Sequence, residues 1–307
     1  MDFTTLVVNI QINLGHVMYS FKKAPKNSKM DSSKIAILST VNNFKLYKKS
    51  ASLYPSNIKS YVFDGRNGMF GIFSITFMMK VFKRKDIDWL ILMDEDALFV
   101  NSDLIYPLID NMKVNDYIIA GIRDGGALPE RSGNPYVMNP FFSIIHLKKL
   151  KKIWNKKEMF QNHYVRENEF NDDLSQLKYP YDKTSMSEPY YCFYLWLKRK
   201  NQKMLYLNVD LPFADDQITN VVYDLNNQPI VYHTWFSREY GDLRGRHTAR
   251  IDRVFEEFEN KYTDSKPVKI YKDYLFPFKD RVRKFKKHTR KRLMKIGLIS
   301  EIKINKS

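Results

Sequence analysis

A chain of 307 residues with 44% hydrophobic and 15% aromatic content can fill a substantial core, which excludes general disorder and fits one large α/β domain plus an appendage. Its single cysteine, Cys192, excludes an internal disulfide framework and a zinc cluster and fits a reducing cytoplasm. No stretch approaches the roughly 18 to 20 apolar residues of a transmembrane helix. The net charge is +17, and the segment from Lys279 to Lys295 supplies about half of it, with ten Lys or Arg against the lone acid Asp280, so the body is only moderately basic.

The first segment, LVVNIQINLGHVMY, is mildly apolar but lacks a basic n-region and a small-residue cleavage site, so it does not read as a signal peptide. An N-terminal extension is expected over residues 1–33. KIAILSTV, from Lys34, reads as the first core strand and ends in Ser39 and Thr40. Residues 44–53 read as a helix closed by Pro55, and SYVFDG as a second strand ending at Asp64. A helix with Phe70, Phe73, Phe77 and Val81 on one stripe leads into basic Lys83, Arg84 and Lys85. The next strand is DWLILM, an apolar run that stops at Asp94, Glu95 and Asp96. Strand, helix, strand, helix, strand is a parallel-sheet rhythm. YIIAGI, from Tyr117, is a fourth strand exiting into Arg123, Asp124, Gly125 and Gly126, and NPFFSIIHL, from Asn139, a fifth in which His146 reads as structural. Residues 155–185 show no clear period. Ser187, Glu188 and Pro189 then read as the start of the helix YYCFYLWLKRK, with Ser187 as cap and Glu188 in the first turn. MLYLN is a short strand, FADDQITN carries Asp215 and Asp216 as a further helix cap, and IVYHTWF places His233 at the end of one more strand.

In an extended segment residues i and i+2 share a face, so Asp94 and Asp96 are expected to point together and Glu95 away. Such a pair suits a hard divalent cation with its phosphates, whereas the plain reading is a solvated turn. The strand's double-sided hydrophobicity favours the first reading, because ligands of parallel sheets bind beyond the carboxyl ends of the strands.

WLILMDEDALF resembles the Asp-X-Asp strand end of nucleotide-sugar glycosyltransferases of the GT-A fold. The resemblance implies a Rossmann-like, mostly parallel central sheet flanked by helices. It further implies a catalytic domain over 34–262, with the nucleotide-sugar half at 34–126 and the acceptor half at 127–262. Asp94, Asp96 and His233 would be the metal ligands, for Mn2+ or Mg2+, and imidazole tilts the preference to manganese. Ser39, Thr40, Val41, Asp64 and Arg66, with Asp94, would meet the nucleoside of the donor. Glu188 corresponds to the acid that deprotonates the acceptor hydroxyl in inverting members, with Asp216 and its neighbour Asp215 as rivals. The family often has a Glu-Asp pair there, whereas this chain reads Ser-Glu-Pro. Trp235, Arg238 and Glu239 would form a flap, with Arg238 or Arg244 reaching phosphate, while His247 reads equally as surface. The implied activity is sugar transfer from a nucleotide-sugar to a glycan or lipid-linked acceptor in surface-polysaccharide biosynthesis. A nucleotidyltransferase is the second enzyme reading, weakened because STVNN after the first strand lacks that class's glycines.

Over residues 263–307, Val282, Phe285, Leu293 and Ile296 recur at helical spacing, with Thr289 filling the middle step, on a very basic helix. Such an amphipathic tail is expected to bind an anionic membrane, which places the protein on the inner face of the cell membrane. Nucleic acid is not expected as a partner, because no recognisable nucleic-acid module is present. A non-enzymatic basic membrane- or nucleic-acid-binding protein rests on this tail alone.

Overall fold

The structure is a computed structural model that describes residues 30–175, 177–241, 245–263 and 268–295. Residues 1–29 of the extension expected over 1–33, Arg244 and Ile296 lie outside the described residues. The elements begin with β1 (Ile35–Val41), α1 (Phe44–Ala51), β2 (Lys59–Asp64), α2 (Ile72–Phe82), β3 (Trp89–Met93), β4 (Ala97–Phe99), α3 (Ile105–Val114) and β5 (Tyr117–Arg123). The middle third holds β6 (Met138–His146), α4 (Leu147–Ile153), α5 (Lys156–Gln161) and α6 (Tyr191–Arg199). Then follow β7 (Lys203–Tyr206), β8 (Val209–Asp210), β9 (Asn220–Tyr223), β10 (Pro229–His233), α7 (Thr248–Glu256), β11 (Lys269–Tyr271) and α8 (Phe276–Lys295).

The central sheet has the order β11-β2-β1-β3-β6-β5-β7. The mostly parallel α/β sheet is as expected, except that β6, the fifth strand in the sequence reading, runs antiparallel between β3 and β5. Alternation divides its core. Ala36, Leu38 and Leu90 face the layer of α2, α4 and α6, while Ile35, Ile37 and Ile91 face that of α3. Helix α6 is buried on every side from Tyr191 to Leu197, which explains a segment apolar all round rather than on one stripe. A smaller antiparallel sheet, β4-β10-β9-β8, stands at the exit of β3.

Two elements differ from expectation. The buried face of α2 is Ile72, Ile75, Met78, Met79 and Phe82, not the phenylalanine stripe. Phe73 and Phe77 are only partly buried, and Phe73 packs on Phe276 at the start of α8, 5.2 Å between ring centres. Secondly, the segment expected to be a separate tail opens with β11, which pairs parallel with β2 at the edge of the main sheet. His146 stacks on Trp89 at 4.3 Å, and burial lowers its pKa.

Candidate active site

The acid triplet leaves the sheet in a turn. Asp94 is tied to β6 by its amide, which donates to the Phe141 carbonyl at 2.9 Å, and Ala97 N–H closes back on the Asp94 carbonyl at 3.1 Å. The chain then enters β4, whose Ala97 pairs with His233 at the end of β10. Asp96 and His233 therefore arrive side by side through strand pairing, although 137 residues separate them. Asp94 and Asp96 stay together, but by a turn rather than in extended register.

Ligand atoms of Asp94, Asp96 and His233 all lie within 4.8 Å of one another. Asp96 Oδ1 is 3.2 Å from His233 Nε2, close to the roughly 3 Å that separates neighbouring ligands on an octahedron with ~2.1 Å bonds. His233 is clamped between Phe141, stacked at 3.8 Å, and Trp235 at 4.3 Å, and its buried Nδ1 has no hydrogen-bond partner among the described residues. Burial, then the neighbouring Glu95 and Asp96, holds Asp94 well above the usual carboxylate range. Burial also opposes charge on Asp96, but His233 and the Ser237 amide, 3.2 Å from Oδ2, outweigh it and lower its pKa. The group could hold a metal ion, and a cation would relieve the crowding of negative charge. Glu95 turns elsewhere: its Oε1 accepts from the amides of Asn42 at 3.2 Å and Asn43 at 3.3 Å, at the start of α1. Burial, then Asp96, pushes it up to about 7.

These residues form one wall of a cavity of about 490 Å³, within the size range of ligand sites. Thr40, Asn42, Gly65, Phe70 and Ser74 lie at the ends of the first strands and the start of α2, while Arg131, Asn139, Glu188, Tyr190 and Arg238 complete the opposite side. Glu188 stands three residues before α6, not in its first turn, and the Tyr191 amide closes on its carbonyl at 3.2 Å. Ser187 does not cap the helix; its hydroxyl meets Tyr191 Oη at 2.9 Å. Burial, then the negative charge of Asp124, raises the Glu188 pKa, opposed by Arg131 and Arg238.

The loop carrying Arg131 is fixed by close packing. Gly126, at φ +61°, leaves room for Asn220, whose Oδ1 would lie 2.2 Å from a Cβ and accepts from Ala127 N–H at 2.8 Å. Arg131 stacks on Trp235 at 4.5 Å, and Arg238 on Phe70 at 4.6 Å. Trp235 and Phe236 both have left-handed backbone, φ +57° and +61°, a strain of about 1–3 kcal/mol each that follows directly on the His233 strand.

The other expected site residues fall differently. Thr40 lines the cavity beside Ser74, 2.5 Å between hydroxyls. Ser39 is buried on the opposite side of β1 against Tyr54 Oη at 3.0 Å, and Val41 is in the core. Asp64 is buried and chelated by Arg66 at 2.8 and 2.9 Å, with Lys272 3.4 Å away, so this pair does not line the cavity. Asp216 is also outside it: its carboxylate accepts from the amides of Ile218 and Thr219, the Thr219 hydroxyl and Arg250, which is a structural role. Asp215 pairs with Arg253 at the surface. His247 stacks on Phe236 at 4.3 Å, and Cys192 is buried in α6. Arg131, Phe70, Ser74 and Tyr190 also line the cavity and were not among the expected site residues.

No protein-family model matches the sequence, and no curated protein matches it. Among solved structures, the chain is similar to mannosyltransferase PcManGT from Pyrobaculum calidifontis in complex with GDP-Man and Mn2+, at 10% identity and TM-score 0.25, covering 43% of this chain and 50% of that one. It is similar to A197 from STIV at 8% identity and TM-score 0.33, covering 64% and 93%. GlyE, a glycosyltransferase of Streptococcus pneumoniae TIGR4, aligns at 11% identity and TM-score 0.30, covering 76% and 66%. The chain thus spans half the length of the mannosyltransferase. Likenesses this distant carry no argument about what the cavity does.

Proposed function

We propose that the protein is a metal-dependent glycosyltransferase that moves a sugar from a nucleotide-sugar donor to a hydroxyl of a glycan or lipid-linked acceptor. The observation that supports this most is one cavity, beyond the carboxyl ends of parallel strands, holding an Asp94–Asp96–His233 group and a separate carboxylate, Glu188, with raised proton affinity. When bound at that group, Mn2+ or Mg2+ would supply Lewis acidity to a departing diphosphate. Thr40, Asn42 and Ser74 offer polar contacts at the nucleoside end. Arg131 and Arg238 set positive charge beside the acids, where phosphate oxygens would lie. Glu188 takes the proton of the acceptor hydroxyl. The acceptor oxygen bonds to the anomeric carbon as that carbon's bond to the diphosphate oxygen breaks, and attack from the opposite face inverts the configuration.

Among the described residues no helix is long and apolar enough to cross a membrane. The exposed apolar residues Phe278, Val282 and Phe285 on basic α8 support peripheral attachment to an anionic membrane. That attachment fits a role in surface-polysaccharide assembly at the inner face of the cell membrane. The test is incubation with a panel of sugar nucleotides and manganese, followed by calorimetry and by release of nucleoside diphosphate. Binding or slow hydrolysis of at least one donor is expected, lost in Asp96→Asn. No response to any donor would overturn the reading, and an NMR assignment of retained anomeric configuration would remove Glu188 as base.

A further inference from the structure

A second cavity, of about 750 Å³, lies between α2, the corner joining α4 to α5, and the first turns of α8. Helix α2 is the wall between the two cavities: Ser74 and Ile75 line the first, and Phe73, Thr76 and Phe77 the second. The floor of the second is aromatic, formed by Phe73, Phe77, Trp154 and Phe276. Its rim is cationic, and the cations fall into two sets. Lys279 is paired with Asp273 at 3.0 Å, Arg283 with Asp280, and the Lys151 ammonium with the Lys85 carbonyl at 2.7 Å. Lys80, Lys83 and Lys156 are exposed and form no ion pair among the described residues, Lys80 resting only on the Phe77 ring at 5.9 Å.

An aromatic floor under three unneutralised ammonium groups is complementary to a ligand with an apolar chain and an anionic head. Three free cations exceed what one carboxylate neutralises and match a phosphate monoester, with its nearly two negative charges and three acceptor oxygens. The helix that lines the cavity with Phe276, Lys279, Asp280 and Arg283 carries Phe278 and Phe285 on its opposite face, 68% and 71% exposed, where they are suited to meet a bilayer. We infer that this cavity is a binding site for a membrane lipid bearing a phosphate monoester head, with the head among Lys80, Lys83 and Lys156 and the chain over Phe77 and Trp154. The site is separate from the acid cavity and does not depend on its chemistry.

The experiment titrates the full chain with dihexanoyl phosphatidic acid below its micelle concentration, by calorimetry. One equivalent is expected to bind at least tenfold more tightly than either glycerol 3-phosphate, the head alone, or dihexanoyl phosphatidylcholine. The triple variant Lys80→Glu, Lys83→Glu, Lys156→Glu should weaken binding at least tenfold without changing the melting temperature. Trp154→Ala, which also packs on α6, should weaken phosphatidic acid while leaving glycerol 3-phosphate as it was. Equal binding of the head alone, equal binding of phosphatidylcholine, or an unaffected triple variant would each overturn the inference. So would displacement of the lipid by a nucleoside diphosphate with Mn2+, or loss of binding in Asp96→Asn, because either would put the lipid in the first cavity.

Discussion

The acid corner and helix α8 treat charge in opposite ways. At the corner, Asp96 and His233 are 3% and 2% exposed, and burial presses protons onto Asp94 and Glu95. Along α8, charged groups stand in water, and apolar residues such as Phe278 and Phe285 are exposed with them, 68% and 71%. Concentrating carboxylates under cover is costly unless a counter-charge is present, whereas an amphipathic helix leaves its apolar stripe open at little cost until a surface meets it. Substitutions at the corner should therefore damage chemistry, and those on α8 should change where the protein sits.

The largest effect is expected from Asp96→Asn. Metal Lewis acidity contributes several kcal/mol, so turnover should fall ~10³-fold or more, with manganese-dependent donor binding lost in the same calorimetric titration. Glu188→Gln comes next. A positioned base contributes about 10² to 10⁴ in rate, so turnover should drop by that factor while donor binding holds. The pH profile gives a second readout. As the proposed base Glu188 would work deprotonated, and its pKa is raised by burial and by Asp124, so activity should fade on acidification at a higher pH than an ordinary glutamate would give. Glu188→Gln should flatten that acid limb.

The acid corner was legible because a buried strand and a later apolar strand each end in ligand-type residues, and strand pairing brings such ends together. The side proposed to meet the nucleoside was less so. Ser39 and Val41 flank Thr40, and alternation along a strand sends them to the other face; the sequence holds that distinction, but not which face opens on the cavity. Asp64 reads as a polar strand end until Arg66, two residues on, is seen to engage both its oxygens. Asp216 looks like a rival base, yet Thr219 and Arg250 occupy its carboxylate. Such local pairing depends on turn geometry, which no periodicity encodes. On α8 the basic stripe was plain in the sequence. The docking of Phe276 on Phe73 and the edge strand before it were not, because both are contacts between distant segments.

Asp124 lies between these extremes and sharpens the comparison. It is buried like the corner acids, and its oxygens accept from the hydroxyls of Tyr190, at 2.7 Å, and Tyr191, with Asn139 Nδ2 at 3.4 Å. Gly133 makes room for this pairing, since a Cβ there would lie 2.6 Å from the Asp124 carboxylate. The carboxylate thereby fixes the start of α6, just after the turn that carries Glu188, and its charge raises the Glu188 pKa. Asp124→Asn should lower kcat about tenfold, in the range for loss of a partner that orients a reacting group, with little change in donor KM. Removal of the negative charge should also move the acid limb to lower pH. A lower kcat with an unmoved limb would leave Asp124 a packing role only.

The smallest effect on the folded body is expected on α8. Phe278→Ser with Phe285→Ser removes side chains that are 68% and 71% exposed, so unfolding free energy should stay within about 0.5 kcal/mol of the parent and turnover of a soluble acceptor should not change. Binding to vesicles containing acidic phospholipid should fall about tenfold, because each phenylalanine contributes part of the roughly 1.5–3 kcal/mol available on full burial. The residual binding should weaken further as salt is raised, since it then rests on lysine and arginine alone. A large loss of stability instead would mean that the stripe is packed against protein in solution, and the contrast between a corner built for chemistry and a helix built for placement would fail on its second half.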